Sequence, residues 1–258
     1  MRTAGTLRGR LAGLAGVLPA LALAAGCFQG ERVIKVNADG SGTITDTVKI
    51  GESAKGMMEG MKAADKSPEA EKKAKKEEKL KAKAAEMGAT FVSAESKDGV
   101  DKYVFAFKDV TALKAASSPL VSEDETSKED PLTFRFNKSG ANRVLTVVMP
   151  KGKPAEGAEA KKKPSPEEIK MAVGMMKGMM AGLKMKTVVE VGGKLVSTSS
   201  PYAAGSQVTL MEIDFDQLDE AGLMKLAEAD PSSPPSAEVL KGVKGIKANT
   251  GEVKIEFK

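Results

Sequence analysis

The chain has 258 residues, of which 41% are hydrophobic and 29% charged, a balance typical of a globular protein long enough to bury a core. Three of its 40 basic residues, Arg2, Arg8 and Arg10, lie before the first acidic residue, Glu31, so the remainder has 37 basic and 35 acidic residues. Lysines in that remainder are interleaved with glutamates rather than with aromatic residues. This pattern argues against nucleic-acid binding.

The absence of histidine and the single cysteine exclude several classes of active site. Without histidine the chain has no Ser-His-Asp or Cys-His nucleophile and no histidine-containing zinc site. One cysteine cannot form an intrachain disulfide or a CxxC redox pair. The carboxylates and lysines show no spacing typical of catalysis. We therefore expect a non-enzymatic protein with no catalytic residue, no bound metal and no cofactor.

The first 26 residues have the order of an export signal. Basic residues come first, an apolar run extends from Leu11 to Ala25, and Gly26 precedes Cys27. The run is only about 15 residues long and is interrupted by glycine and proline, whereas a membrane-spanning helix needs roughly 20. We predict a cleavable signal peptide over residues 1–26.

The segment from Leu23 to Cys27 resembles the lipobox of bacterial lipoproteins, in which small residues precede a cysteine that is acylated and becomes the N-terminus. The usual leucine position is Ala24 here, and the alternative is an ordinary cut after that residue. The resemblance implies lipidation of Cys27, a lipidated tether over residues 27–30, and stable attachment through two or three acyl chains. Phe28 rather than aspartate follows the cysteine, which in such lipoproteins favours the outer over the inner membrane.

The first part of the mature chain predicts a β-β-α-β-β unit over residues 31–121. Alternating β-branched residues on either side of Asp39–Gly40 predict a hairpin. Residues 52–87 then have helical character, and their charged part, residues 69–83, is typical of a solvated helix. Two further strands follow, joined by a turn at Asp98–Gly99.

The second part has the same predicted element order over residues 131–229. It begins with a hairpin that turns near Ser139–Gly140, followed by a linker over residues 150–164. A helix capped by Ser165 then runs to about Met185, and strands and a short helix complete the unit.

The two parts also share local sequence. Residues 55–62 and 177–184 have a common pattern of Lys, Gly and Met, and similar strands follow, residues 91–93 and 195–197. The similarity indicates a duplicated unit, with chance matches in a Met-, Gly- and Lys-rich chain as the alternative. Residues 237–258 predict a C-terminal hairpin. We expect an α+β fold in which an antiparallel sheet built from hairpins carries helices on one face.

Methionines are dense in the second predicted helix, with six between Met171 and Met185. Thioethers are soft ligands, so one hypothesis is handling of Cu(I) or Ag(I). Methionine also fills irregular gaps, and the apolar spacing is that of a helix packed on a core. A third interpretation is an adaptable surface for an apolar ligand or a partner protein. The residues concerned are Met175, Met176, Met179 and Met180.

A lipobox followed closely by the hairpin from Val33 to Gly42 resembles the LppM-type family of small bacterial envelope lipoproteins. The resemblance ends near Ile50. It implies an envelope location and an α+β domain, and it brings no catalytic residue. We therefore expect a lipoprotein that contacts a membrane through its N-terminal lipid and binds an envelope protein or an apolar ligand. The alternative is a periplasmic Cu(I)- or Ag(I)-handling protein.

Overall fold

A computed structural model describes residues 28–51, 69–119, 130–150, 165–228, 240 and 242–258. These residues form two β-sheets and three α-helices. The strands are β1 (Phe28–Val36), β2 (Gly42–Ile50), β3 (Thr90–Lys97), β4 (Val100–Phe107), β5 (Thr133–Ser139), β6 (Asn142–Val148), β7 (Lys184–Val191), β8 (Leu195–Thr198), β9 (Ala203–Ala204), β10 (Gln207–Asp214), β11 (Ile246–Ala248) and β12 (Glu252–Phe257). The helices are α1 (Glu69–Glu86), α2 (Pro166–Met179) and α3 (Glu220–Glu228), and short 3-10 helices lie at Val110–Ala112 and Phe215–Gln217.

The larger sheet, here called the main sheet, has the strand order β11-β10-β7-β1-β2-β4-β3, with β9 paired to β10. The smaller sheet has the order β5-β6-β12-β8. Neighbouring strands are antiparallel except β1 and β7, which pair in parallel. The prediction of an α+β fold is therefore confirmed at this coarse level, and the fold is rich in β-sheet. The prediction of an antiparallel sheet does not include the parallel pair β1–β7 at the centre of the main sheet.

The predicted turns form because their residues tolerate the required backbone conformations. In the β1–β2 hairpin Gly40 has φ of 92°, and the Asp39 carboxylate accepts hydrogen bonds from the Ser41 N–H at 2.9 Å and hydroxyl at 2.7 Å. In the β3–β4 hairpin Asp98 and Gly99 have φ of 52° and 74°. Two successive left-handed residues match the right-handed twist of the flanking strands. Both hairpin predictions are confirmed.

Side chains from the two sheets and α1 meet in one hydrophobic cluster, the main core. Strand alternation explains its composition, because every second residue of a strand points to the same face. Representative fully buried members are Ile34, Ile44, Phe105, Val189 and Leu210 from the main sheet and Leu145, Val147, Ile255 and Phe257 from the small sheet. The main core therefore spans both predicted halves of the chain.

Helix α1 is strongly charged, yet it is attached to the main core. Leu80 and Ala84, four residues apart, lie on one side of the helix and are buried, while Lys75 and Lys81 on the exposed side each pair with a glutamate four residues earlier. A narrow apolar edge of this kind is enough to dock a helix whose other faces are solvated. Much of the predicted charged helix is thus exposed, but it is anchored through one edge.

The other two helices bury their side chains in a second group, the α2–α3 cluster. Its buried members are Val173, Leu218, Leu223, Val243 and Ile246. The prediction that all helices pack on one face is therefore not confirmed, because α1 belongs to the main core and α2 and α3 form a separate cluster.

Three boundaries differ from the sequence predictions. Residues 28–30, predicted as part of a tether, are the first residues of β1. Helix α2 ends at Met179 rather than near Met185, since Gly182 has φ of 78° and β7 begins at Lys184. In the predicted hairpin over residues 237–258 the two described strands do not pair with each other, because β11 pairs with β10 whereas β12 pairs with β6 and β8.

The sheet topology also bears on the predicted duplication. The four strands of the first half, β1 to β4, all lie in the main sheet. In the second half β5, β6 and β8 lie in the small sheet, and β7 and β10 lie in the main sheet. The two halves therefore do not build equivalent sheets. The matching segment at residues 55–62 and the linker residues 151–164 lie outside the described residues.

Candidate functional site

A buried ion pair joins β1 and β2 on the same face of the hairpin as the main-core residues Ile34 and Ile44. Arg32 and Asp46 are opposite each other in the strand register, and both side chains have zero solvent exposure. The guanidinium donates from Nε and Nη2 to the two carboxylate oxygens at 2.7 and 2.6 Å, and Nη1 donates to the carbonyl of Ala116 at 2.7 Å. This two-pronged geometry is the strong form of an Arg–carboxylate pair.

Neighbouring strands continue this polar row at both sides. Thr187 on β7 is opposite Arg32, and its hydroxyl donates to the carbonyl of Ser117 at 2.6 Å. On the other side Tyr103 is opposite Asp46, and its hydroxyl accepts a hydrogen bond from Lys76 of α1 at 3.1 Å. The row is sealed by α1 and by the segment that carries Ala116 and Ser117. We interpret this row as a stabilising polar network of the fold rather than a ligand-binding site.

Sequence reasoning missed this pair, although a signal was present. In a hairpin centred on Asp39, residues equally far from the centre are opposite each other, and Arg32 and Asp46 are each seven residues away. Each position is two residues from a core residue, Ile34 or Ile44, and therefore points to the same inward face. Opposite charges at facing inward positions indicate a buried pair.

A second charged group lies where β7 begins and β10 ends. Asp214 is 6% exposed, and its carboxylate contacts Lys184 Nζ at 3.1 Å and accepts a hydrogen bond from the Gln217 side chain at 2.8 Å. Burial raises the pKa of Asp214, but the hydrogen bonds from Lys184 and Gln217 outweigh it, so its pKa lies below the ordinary value. The carboxylate is therefore charged at neutral pH and ties β10 to the start of β7.

Helix α2 begins with the predicted cap. The Glu168 N–H donates to the Ser165 hydroxyl at 3.3 Å, and the Ser165 N–H donates to the Glu168 carboxylate at 2.6 Å. This reciprocal pair is a capping box. Beyond the helix the Gly182 N–H donates to the Asp216 carboxylate at 2.8 Å, which fixes the turn into β7. Both ends of α2 are thus set by specific contacts.

The outward face of α2 carries two exposed methionines. Val173 is buried in the α2–α3 cluster, whereas Met171 and Met175 are 69% and 54% exposed. Because they are four residues apart, these two side chains are neighbours on the helix surface. The side of α2 that carries Met171 and Met175, here called the open side, therefore faces away from the buried Val173.

The four methionines singled out from the sequence do not all have the same position. Met175 is exposed on α2, and Met180 is half-buried after the end of the helix. Met176 and Met179 belong to α2, and their side chains lie outside the described part of the structure. The prediction that these four residues form one ligand or partner surface stays a prediction.

Two grooves adjoin α2. The larger, of about 310 Å³, lies between α2 and α3 and is lined by Lys170, Val173, Gly174, Lys177, Glu220 and Met224. The smaller, of about 230 Å³, is lined by Lys177, Met180, Ala181, Phe215, Asp216, Leu218 and Leu223. Both combine apolar side chains with a lysine, and a glutamate or aspartate completes each lining.

The described residues show neither a metal-binding cluster nor a membrane-spanning helix. No group of three or more His, Cys, Asp or Glu side chains in the described ranges is placed to hold a metal ion. None of the helices in that part of the chain is both long enough and apolar enough to cross a membrane. The signal-peptide residues and Cys27 lie outside the described ranges.

Comparison with known proteins does not identify a family for this chain. No protein-family model matches the chain, and no curated protein matches it. Among solved structures, the folded domain of the Mycobacterium tuberculosis LppM protein, determined by NMR, is similar over 91% of each chain, with 9% sequence identity and a TM-score of 0.30. A similarity of that size carries neither fold nor function to this chain.

Proposed function

We propose that this chain is a bacterial lipoprotein held at a membrane of the cell envelope by acyl chains on Cys27. The observation that carries the proposal is the position of the single cysteine, which ends the apolar run and is bonded to Phe28, the first residue of β1. A cut before Cys27 would remove the leader and leave β1 complete. The proposed cut then falls just before the described residues of β1. Since Phe28 rather than aspartate follows the cysteine, we favour the outer membrane.

We further propose that the domain is a non-enzymatic binding module for an envelope protein or an apolar ligand. The open side of α2 supports this role, because Met171 and Met175 are exposed beside the groove that Val173 and Met224 line. Methionine side chains are flexible and polarizable, so they adapt to apolar surfaces of different shape.

Mass spectrometry of the native protein tests the anchor. We expect the N-terminal peptide to begin at residue 27 and to carry the mass of two or three acyl chains, because a single chain gives only marginal membrane binding. In cells labelled with an alkyne-tagged fatty acid, the native chain should take up the label and sediment with membranes, and Cys27→Ser should lose both properties.

The matched control is Gly26→Ala, which changes the neighbouring position but keeps a small residue before the cysteine. It should retain the label and the membrane fraction. An unmodified residue 27 in native protein, or a mature N-terminus upstream of it, would contradict the proposed anchor.

A further inference from the structure

The C-terminal end of α2 lies at the same end of the main sheet as the start of β1. Strand β7 runs parallel to β1, and its first residue, Lys184, is opposite Gln29. Paired strands are about 4.8 Å apart. Lys184 follows Met179, the last residue of α2, by five positions, so at most about 18 Å of chain separates them. Helix α2 therefore ends close to the residue that carries the proposed acyl chains.

No spacer separates that residue from the folded domain. Phe28 is buried and is opposite Ile50 in the β1–β2 register, so the first residue after Cys27 is already part of the sheet. Adjacent Cα atoms are about 3.8 Å apart. An acyl chain that enters a bilayer at Cys27 would hold this end of the main sheet at the bilayer surface. The parts of the domain at this end would meet the headgroups first.

The open side of α2 has the chemistry of an interfacial helix. Met171 and Met175 are exposed there. Lys170 and Lys177 are also exposed, on the adjoining side of the helix that lines the α2–α3 groove, and neither forms an ion pair with any described residue. The two acidic residues of the helix are both in its first turn, away from the end joined to β7. Exposed apolar side chains flanked by lysines are typical of helices that lie in the headgroup layer of membranes with anionic lipids.

From this arrangement we propose that the open side of α2, with Met171 and Met175, contacts the headgroup layer of the bilayer that holds Cys27, while Lys170 and Lys177 at the adjoining groove attract its anionic lipids. The inference rests on the proposed acylation of Cys27. The acyl chains supply the attachment, and α2 supplies a second contact that fixes which side of the domain faces the membrane. The opposite end of the main sheet, with the β1–β2 turn, then points away from the bilayer.

Site-specific quenching of a fluorophore tests this orientation. Met171→Cys gives the native acylated protein one free thiol, which is labelled with an environment-sensitive dye. The protein is then reconstituted into vesicles of phosphatidylcholine and phosphatidylglycerol that contain nitroxide-labelled lipid. The matched control is Val92→Cys, since Val92 is 56% exposed and follows Phe91, which lies toward the far end of the main sheet.

We expect quenching at position 171 to exceed quenching at position 92 by about twofold or more, because an interfacial helix inserts its apolar face roughly 5–10 Å. Adding Met175→Glu to the labelled protein should lower the quenching at position 171, since a carboxylate would be driven out of an anionic surface. Equal quenching at both positions would overturn the proposal. The dye at position 171 is also measured without vesicles at several protein concentrations. If it becomes more shielded as the protein concentration rises, a second copy of the chain covers this side of α2, and the proposed membrane contact is overturned.

Flotation of the same vesicles separates the two proposals. Protein that floats but shows no preferential quenching at position 171 retains the anchor and refutes the contact. Protein that does not float, with an unmodified residue 27 by mass spectrometry, refutes the anchor and with it the contact.

Discussion

The main core and the α2–α3 cluster differ in how completely they are closed. In the main core Phe105 and Phe257 are fully buried, and the ion pair beside it has no exposed atom in either side chain. The α2–α3 cluster has five buried residues among those described, and the helix that contributes Val173 to it leaves Met171 in solvent. The region that determines the fold is therefore separate from the region with exposed apolar side chains. Substitutions in each region should therefore have different effects.

The largest effect is expected at the ion pair. Arg32→Met leaves Asp46 buried without its cation, and breaking a buried pair in this way costs about 3–5 kcal/mol of unfolding free energy. Urea denaturation followed by circular dichroism measures the change. The double variant Arg32→Met with Asp46→Leu should recover most of the loss, because two apolar side chains replace both charges. If the unfolding free energy of Arg32→Met lay within about 1 kcal/mol of the parent value, the stabilising role of the ion pair would be contradicted.

A pair of leucine substitutions compares the two regions directly. Leu145→Ala in the main core should cost about 2–5 kcal/mol, and Leu223→Ala in the α2–α3 cluster should fall at or below the lower end of that range. A small cluster near solvent can relax around a lost side chain more easily than a core between two sheets. Hydrogen exchange should also show lower protection for amides of α3 than for those of β6. Equal losses of unfolding free energy for the two variants, together with equal amide protection in α3 and β6, would contradict the proposed difference between the main core and the α2–α3 cluster.

The smallest effect concerns the carboxylate that joins β10 to β7. The pKa of Asp214 is lowered in the folded protein, so its contribution to stability is present above the unfolded pKa, about 3.9, and is lost as pH falls through the folded value. Asp214→Asn should therefore lower the unfolding free energy at pH 7, and the difference from the parent should shrink below about pH 4.

Urea titrations at pH 7, 5, 4 and 3 measure that dependence. Asp98→Asn, in an exposed turn where asparagine also tolerates a positive φ, is the matched control for loss of one negative charge. A difference for Asp214→Asn that does not change between pH 7 and pH 3 would contradict the assigned contacts.

Local structure was predictable where a few neighbouring residues determine it. The turns at Asp39–Gly40 and Asp98–Gly99 follow from residues that tolerate positive φ, and the start of α2 follows from Ser165 and Glu168. The end of α2 was placed too late because the apolar run continues into β7. The pairing of β7 with β1, which are far apart in the chain, prevails over the helix propensity of Met185.

Long-range pairing was not predictable from the pattern of one chain. Strands β11 and β12 are adjacent in sequence and look like a hairpin, but Ile246 pairs with Ile213 and Ile255 pairs with Leu145. Alternation shows which face of a strand is buried without identifying the strand beside it. The exposure of Met171 and Met175 was not predictable either, because the spacing of apolar residues did not distinguish the open side of α2 from the side that carries Val173.

The central position of β1 has a mechanical consequence. Strand β1 is hydrogen-bonded along its length to β2 on one side and to β7 on the other. A pulling force transmitted from a lipid at residue 27 would act along β1 and load both rows of hydrogen bonds in shear at the same time. The chain would have to slide out of the middle of the sheet before the domain came apart, so extraction of the lipid from its bilayer should precede unfolding.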